Sequence, residues 1–398
     1  MSHVFKKPKP FTYWLCHSLK DYYLSAVYAT RSTHINYYMH KKVYLLIFIA
    51  FLLANRLFAQ NADVKQPLKN SGADTVMLDF HFNGFAFLDD HEYDALIPLR
   101  KTISGTRTEF DMGLHPDTLN SFVVGINALR EFGGTPIFLT ANPVVYYSYH
   151  SSHWLFDGGE FSRDGLLTQY PRALLNDTMI YYRPNVEGLL LRHQGERGYE
   201  TGWIDWQSRQ TATNRNVFLT GELGVFRPDP DGIFYTSHFF IVMHDAGTKP
   251  LLPNEPIQDN EGLQVRLGLD FSKRQHFMDS LSFEVGGMES AQRIRSEFNF
   301  KYAKGVVASF YMSHGPFSLY DEFYRGQPNY LMYGDPFYIK PIYNRLDVKI
   351  TAFRRRRLTG SFMFSFDQSP GHPGDMSEVF HASYDLGRIR ITTLHPLN

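Results

Sequence analysis

The chain has 398 residues, enough for one large β domain or two ordinary ones, with 40 basic and 40 acidic side chains. The first 59 residues take eight Lys/Arg but only Asp21 from those totals, leaving 32 basic against 39 acidic residues. That excludes a nucleic-acid binder, which would gather basic charge on its folded part, and a mean hydropathy of −0.30 excludes a bundle of apolar membrane helices.

In chain order, residues 1–38 precede a second methionine. Met39-His40-Lys41-Lys42 then opens an apolar run from Val43 to Ala54 that Arg56 closes. A basic start, a short apolar stretch and a small residue at Ala59 predict a secretory signal peptide over 39–59, cleaved after Ala59. The run falls short of the about 20 residues a spanning helix needs. The expected start is Met39, with 1–38 a mis-called upstream extension; a long basic leader is the other reading. Cys16, the only cysteine, lies upstream of the cut. The exported chain therefore carries no disulfide, cysteine-zinc site or lipoprotein anchor. Residues 60–73 read as an N-terminal periplasmic tail, too short for a plug domain.

From residue 74 to 394 the dominant signal is period-2 alternation. Leu78, Phe80 and Phe82 alternate with Asp79, His81 and Asn83, and Leu263, Val265, Leu267 and Leu269 with Gln264, Arg266, Gly268 and Asp270. The same holds for Leu281, Phe283 and Val285, for Phe298, Phe300 and Tyr302, and for Leu346, Val348 and Ile350. Further strands are predicted over 102–113, 120–132, 136–150, 153–161, 178–192, 198–208, 215–226, 232–244, 305–314, 337–353, 357–367, 377–386 and 388–394. Most reach the about 9–11 residues of a tilted membrane strand, beyond the five or six usual in soluble sandwiches. Aromatics at 16% of the chain suit the interfacial girdles of a barrel. The expected fold is all-β: a transmembrane antiparallel up-and-down barrel. The segments sum to 17, but such barrels have even strand numbers, so about 16 strands (14–18) are expected. Long polar connections at 89–101, 162–177, 245–260 and 315–335 follow the first, fifth, ninth and thirteenth strands. They therefore share one rim, the extracellular one if the N-terminus is periplasmic.

Gln169-Tyr170-Pro171-Arg172-Ala173-Leu174-Leu175, Tyr181-Tyr182-Arg183-Pro184-Asn185-Val186-Glu187-Gly188 and Trp203-Ile204-Asp205-Trp206-Gln207-Ser208-Arg209-Gln210 are the most distinctive stretches, with Phe87–Tyr93 beside them. They resemble a family of poorly characterised, porin-like outer-membrane barrels from Bacteroidota, over roughly 74–245. The resemblance implies an outer-membrane location but brings no substrate or catalytic residue.

Alternation sends Asp79, His81, Asn83, Arg107, Glu109, Asp111, Arg266, Asp270, Glu284, Glu297, Lys301, Arg345, Asp347, Lys349, Arg388 and Arg390 toward the lumen, because Arg or Lys facing lipid costs about 2–4 kcal/mol at mid-membrane. They either line a hydrated passage or pair across the lumen and fill it. Arg354, Arg355, Arg356 and Arg357 form a basic run suited to lipopolysaccharide phosphates or to a plain solvated turn. Asp89-Asp90-His91-Glu92-Tyr93-Asp94 reads as an acidic surface loop rather than a calcium site, since it lacks the spacing of an EF-hand. His150, His153, Asp157 and Glu160 share a hairpin, but nothing makes them converge on a metal. Trp203 and Trp206 read as girdle anchors or sugar-stacking rims. No G-x-S-x-G, H-E-x-x-H or P-loop is present. The expectation is a channel, not an enzyme, passing small polar solutes, sugars among them, without cofactor or metal. Its partners are outer-membrane lipid and lipopolysaccharide, no nucleic acid is bound, and a homo-oligomer stays open. A closed structural or surface-interaction barrel and an outer-membrane hydrolase are the alternatives.

Overall fold

A computed structural model describes residues 76–93, 97, 102–251 and 256–394. The expected extension, signal peptide and tail lie outside the described residues. Strands β1 (Val76–Glu92), β2 (Thr102–His115), β3 (Asn120–Glu131), β4 (Thr140–His150), β5 (Trp154–Ser162), β6 (Asn185–Gly195), β7 (Gly198–Ser208) and β8 (Val217–Phe226) come first. They continue as β9 (Phe234–Asp245), β10 (Gln258–Asp270), β11 (Ser280–Ile294), β12 (Phe298–His314), β13 (Phe317–Gly326), β14 (Ile342–Arg355), β15 (Leu358–Ser369), β16 (His372–Asp385) and β17 (Ile389–Leu394). Neighbours in sequence pair antiparallel from β1 to β16, and β1 closes the ring against both β16 and β17. Asn83 opposes Asp385 while Phe80 opposes Ile389, so β16 and β17 are two parts of one strand broken at 386–388. The barrel is therefore 16-stranded.

The strand count of 17 came from three misplacements. Segments 297–302 and 305–314 fuse into β12, and 388–394 continues the last strand. Phe317–Gly326, expected within a long loop, is itself a strand. Its Phe317, Leu319, Asp321 and Phe323 alternate only weakly in polarity with their neighbours, which hid it.

Outward positions carry the apolar belt. Val124 is 60% exposed, Leu267 63% and Val306 56%, a cost in water but a match to lipid. The start of β1 and the end of β17 meet at one rim, where Val76 opposes Leu394. The connections there run from two residues (196–197, 315–316, 356–357) to nine (271–279), whereas the two longest connections between described strands, 163–184 and 327–341, lie at the opposite, long-loop rim.

Those two long connections turn inward. Segment 163–184 holds short helices α1 (Asp164–Leu167) and α2 (Met179–Tyr182); segment 327–341 holds a 3-10 turn at Pro336–Ile339. Leu166, Tyr170, Leu174, Leu175 and Met179 pack with Leu331, Phe337 and Tyr338 against Trp203, Leu219, Leu223, Phe239, Ile241 and Tyr343 of the inner wall. Tyr181 stacks on Phe87 at 4.2 Å on the other side of the lumen. The two inserts also bond each other, Asn176 N to Tyr333 O at 2.6 Å and Asp335 N to Arg172 O at 2.9 Å. Such closure is needed because buried backbone groups must find partners. At Gly262 a Cβ would come within about 3 Å of Leu174 and Leu331, so the absence of a side chain lets the inserts reach the wall. The expectation of polar external loops at 162–177 and 315–335 is thereby corrected. Enough leucine and tyrosine sits in them to make burial favourable. The strand expected over 178–192 begins only at Asn185 for the same reason.

Candidate functional site

Most of the alternating polar residues enter the lumen and find partners there. Asp79 bonds His115 at 2.9 Å and Arg388 at 3.0 Å; Arg388 also reaches Asp111, and His81 bridges Asp111 and Asp385. Arg107 bonds Asn127 and donates to Tyr181 O, and Asn127 donates to Glu109 at 2.8 Å. Arg266 pairs with Glu284 and Glu322 at 2.8 and 2.7 Å, and Asp270 with Arg227 at 2.7 Å. Arg345 meets Asp347 at 2.7 Å and Asp367 at 3.3 Å. Asn83 and the more exposed Lys301 and Lys349 hold inward register positions, and Arg390 sits at the terminal rim beside Met77. Glu297 is instead in the β11–β12 turn. Arg354 and Arg355 end β14 and Arg356-Arg357 make the turn to β15, at the rim where β1 starts, with Arg356 at φ +48°.

Several other expectations change. Strand β1 runs on through Asp89 and His91, so the supposed surface loop is a wall segment with both side chains buried and Asp89 Oδ1 2.7 Å from His91 Nε2; Asp94 lies outside the described residues. Trp203 is 4% exposed and donates to the Tyr170 hydroxyl at 3.0 Å, so it is neither a rim platform nor a girdle anchor; Trp206 does face outward. In the 150–160 hairpin Asp157 and Glu160 occupy opposite faces of β5, so those four residues do not converge. A cavity of about 1040 Å³ lies below the inserts, lined by Tyr199, Arg227, Tyr235, Arg266, Glu284 and Tyr320.

Sequence reasoning missed the polar groups of the outer wall. On β9, Ser237, Phe239, Ile241 and Met243 are the buried, inward residues. His238 and His244 therefore point outward, as do their ladder partners. His244 sits between Phe218 and Asp259, and Asp259 opposes Arg293. His244 Nδ1 is 2.7 Å from Asp259 Oδ1; Arg293 is 2.6 Å and Arg295 3.5 Å from Oδ2 of the same carboxylate. Arg293 also lies over Phe300 at 4.4 Å, and the His244 ring is 5.3 Å from Phe218. The group stands at the long-loop end of the outer wall, directly above the apolar run Leu263, Val265, Leu267 and Leu269 of β10. With Nδ1 protonated toward Asp259, Nε2 keeps its lone pair for a water or substrate proton.

A family model described as lipid A 3'-O-deacylase-type matches residues 70–392. No curated protein matches the sequence. Among solved structures, OpdL of Pseudomonas aeruginosa is 10% identical with a TM-score of 0.47, covering 80% of this chain and 99% of that one. A loop L8 deletion mutant of OmpT, an outer membrane protein of Vibrio cholerae, gives 8% and 0.49 over 78% and 99%. An anion-selective porin from Comamonas acidovorans gives 7% and 0.47 over 78% and 100%. At such identities nothing about activity follows. The family match overturns the expectation that the chain is not an enzyme, because the matched family is named for a deacylation.

Proposed function

Because this chain belongs to the lipid A 3'-O-deacylase-type family, we propose that it is an outer-membrane hydrolase that cleaves an acyl ester of a lipid A-type glycolipid at the outer wall of the barrel. The observation that carries the reading is the His244–Asp259 pair, facing lipid where the apolar belt ends. A membrane-borne ester reaches the outer wall by lateral diffusion, while a lumen site would require it to leave the bilayer. The two longest connections lie at the long-loop rim, which supports that rim as the extracellular one; with that orientation the pair faces the outer leaflet.

In this reading His244 Nε2 takes a proton from water as the water oxygen attacks the acyl carbonyl. Asp259 holds the imidazole and stabilises its charged form. The C–O bond to the sugar breaks, and the proton passes from His244 to the sugar oxygen, giving a carboxylic acid and a free hydroxyl. Arg295, the more exposed of the two arginines, is suited to an anionic headgroup. The test is mass spectrometry of lipid A incubated with the refolded protein. Loss of one acyl chain is expected, with His244→Ala slowing it about a hundred- to ten-thousand-fold. An unchanged rate in a folded His244→Ala protein would remove the assignment.

The second reading is passage of small polar solutes, sugars among them. It is favoured by the charged cavity of about 1040 Å³ on the terminal side of the inserts. Planar-bilayer conductance separates the two: steps that persist in His244→Ala would support a channel, and silence would leave the hydrolase alone.

A further inference from the structure

Glu200, Glu222 and His238 come from three adjacent strands, and the inward, buried residues of those strands are Thr201 and Trp203, Leu219 and Leu223, and Ser237 and Phe239. All three side chains therefore face the lipid. Their ligand-capable atoms lie within 4.8 Å of one another, and His238 Nε2 is 2.9 Å from Glu200 Oε1. What lets them meet is Gly224, which stands in register between Glu200 and His238; a Cβ there would overlap both Glu200 Oε2 and His238 Cε1. The surroundings are apolar. Val265 opposes His238, Leu263 opposes Phe240 and Phe240 opposes Glu222, with Phe226 and Phe234 toward the terminal rim.

A like group inside the lumen shows what is missing outside. There His81, Glu109 and Asp111 also converge, but Arg388 lies 3.0 Å from Asp111 and both His81 nitrogens are taken, by Asp111 and Asp385. There Arg388 supplies a full cation within reach of the carboxylates. Around Glu200 and Glu222, among the described residues, His238 is the only basic side chain in ion-pair range. Two carboxylates with one imidazole on an otherwise apolar stretch of the outer wall leave negative charge that no protein cation offsets, and apolar surroundings penalise it.

We propose that Glu200, Glu222 and His238 form a divalent-cation site on the lipid-facing wall. One imidazole nitrogen and carboxylate oxygens are a donor set for zinc or a related borderline metal, and calcium, which takes six to eight oxygens, fits it poorly. Carboxylate-only or lipid-headgroup recognition would not need the imidazole. This site is separate from the His244–Asp259 pair and does not depend on the hydrolase reading.

The experiment uses the full chain, folded in detergent and stripped with a chelator, then equilibrated with Zn2+ and analysed for bound metal. Folding is checked by the gel-mobility shift of intact barrels. One Zn2+ per chain is expected, unaffected by excess Ca2+, and Co2+ in its place should give visible ligand-field absorption. Glu222→Gln and His238→Ala should lose that equivalent, whereas His81→Ala and His244→Ala should keep it. Gly224→Ala should weaken binding at least tenfold. Two results overturn the proposal: equal zinc content in folded wild type, Glu222→Gln and His238→Ala, or a folded wild type that takes up none. The second would mean that shared protons, not a metal, neutralise the group.

Discussion

The wall around the closing seam, β1 to β3, and the wall from β7 to β9 solve the same problem with opposite inner surfaces. At the seam the lumen side is polar, with Asp79, His81, Arg107, Asp111 and Asn127, and the lipid side is apolar, with Phe110, Phe122, Val124 and Ile126 well exposed. From β7 to β9 the inner face is Trp203, Leu219, Leu223, Phe239 and Ile241, because it meets the inserts rather than water. Its outer face then mixes Phe218 and Phe240 with Glu222, His238 and His244. Alternation reports a contrast between two environments. Where both faces of a strand are apolar, the contrast vanishes and orientation becomes illegible.

The difference can be broken most severely on the filled wall. Trp203→Ala should cost about 3–5 kcal/mol, the range for emptying a large aromatic site, read as a lower urea midpoint in detergent. An effect under 1 kcal/mol would mean that the inserts do not pack there. Next comes Leu267→Arg on the lipid side, expected to cost about 2–4 kcal/mol if Leu267 lies at bilayer depth; indifference would place it outside the membrane. On the seam wall, Arg107→Met removes the donor to Asn127 and to Tyr181 O. A loss of about 1–3 kcal/mol is expected, the cost of stranding buried acceptors, and it should be smaller than that of Trp203→Ala under the same conditions. The least effect belongs to Lys273→Ala. Its 3.1 Å pair with Asp231 is exposed on both sides and should be worth no more than about 1 kcal/mol.

Legibility followed the same divide. The barrel could be read from residues such as Leu263–Asp270, where apolar and polar positions truly alternate. The inserts could not, since Tyr170 and Leu174 sit among Gln169, Arg172 and Asn176, and nothing local says that a lumen awaits them. The outer-wall groups were hidden for a related reason. A rule that sends every charge inward works at Asp79 and Arg266 but misplaces Glu222 and Asp259, whose orientation is fixed by Leu223 and Asn260 claiming the inside. A parity count from Asp205 or Trp203 would have placed Glu200 of the same strand outward, had either been recognised as buried.

The interrupted last strand carries a consequence for how the molecule is made. Arg388, in the break between β16 and β17, bonds Asp79, a residue 309 positions earlier in the chain. Loop-closure entropy makes a contact of that span among the slowest to form. Until the last strand pairs, the first strand keeps an open edge, and an open edge of that length invites pairing with other chains. Arg388 reaching both Asp79 and Asp111 is a contact that forms only when the last strand closes on the first two.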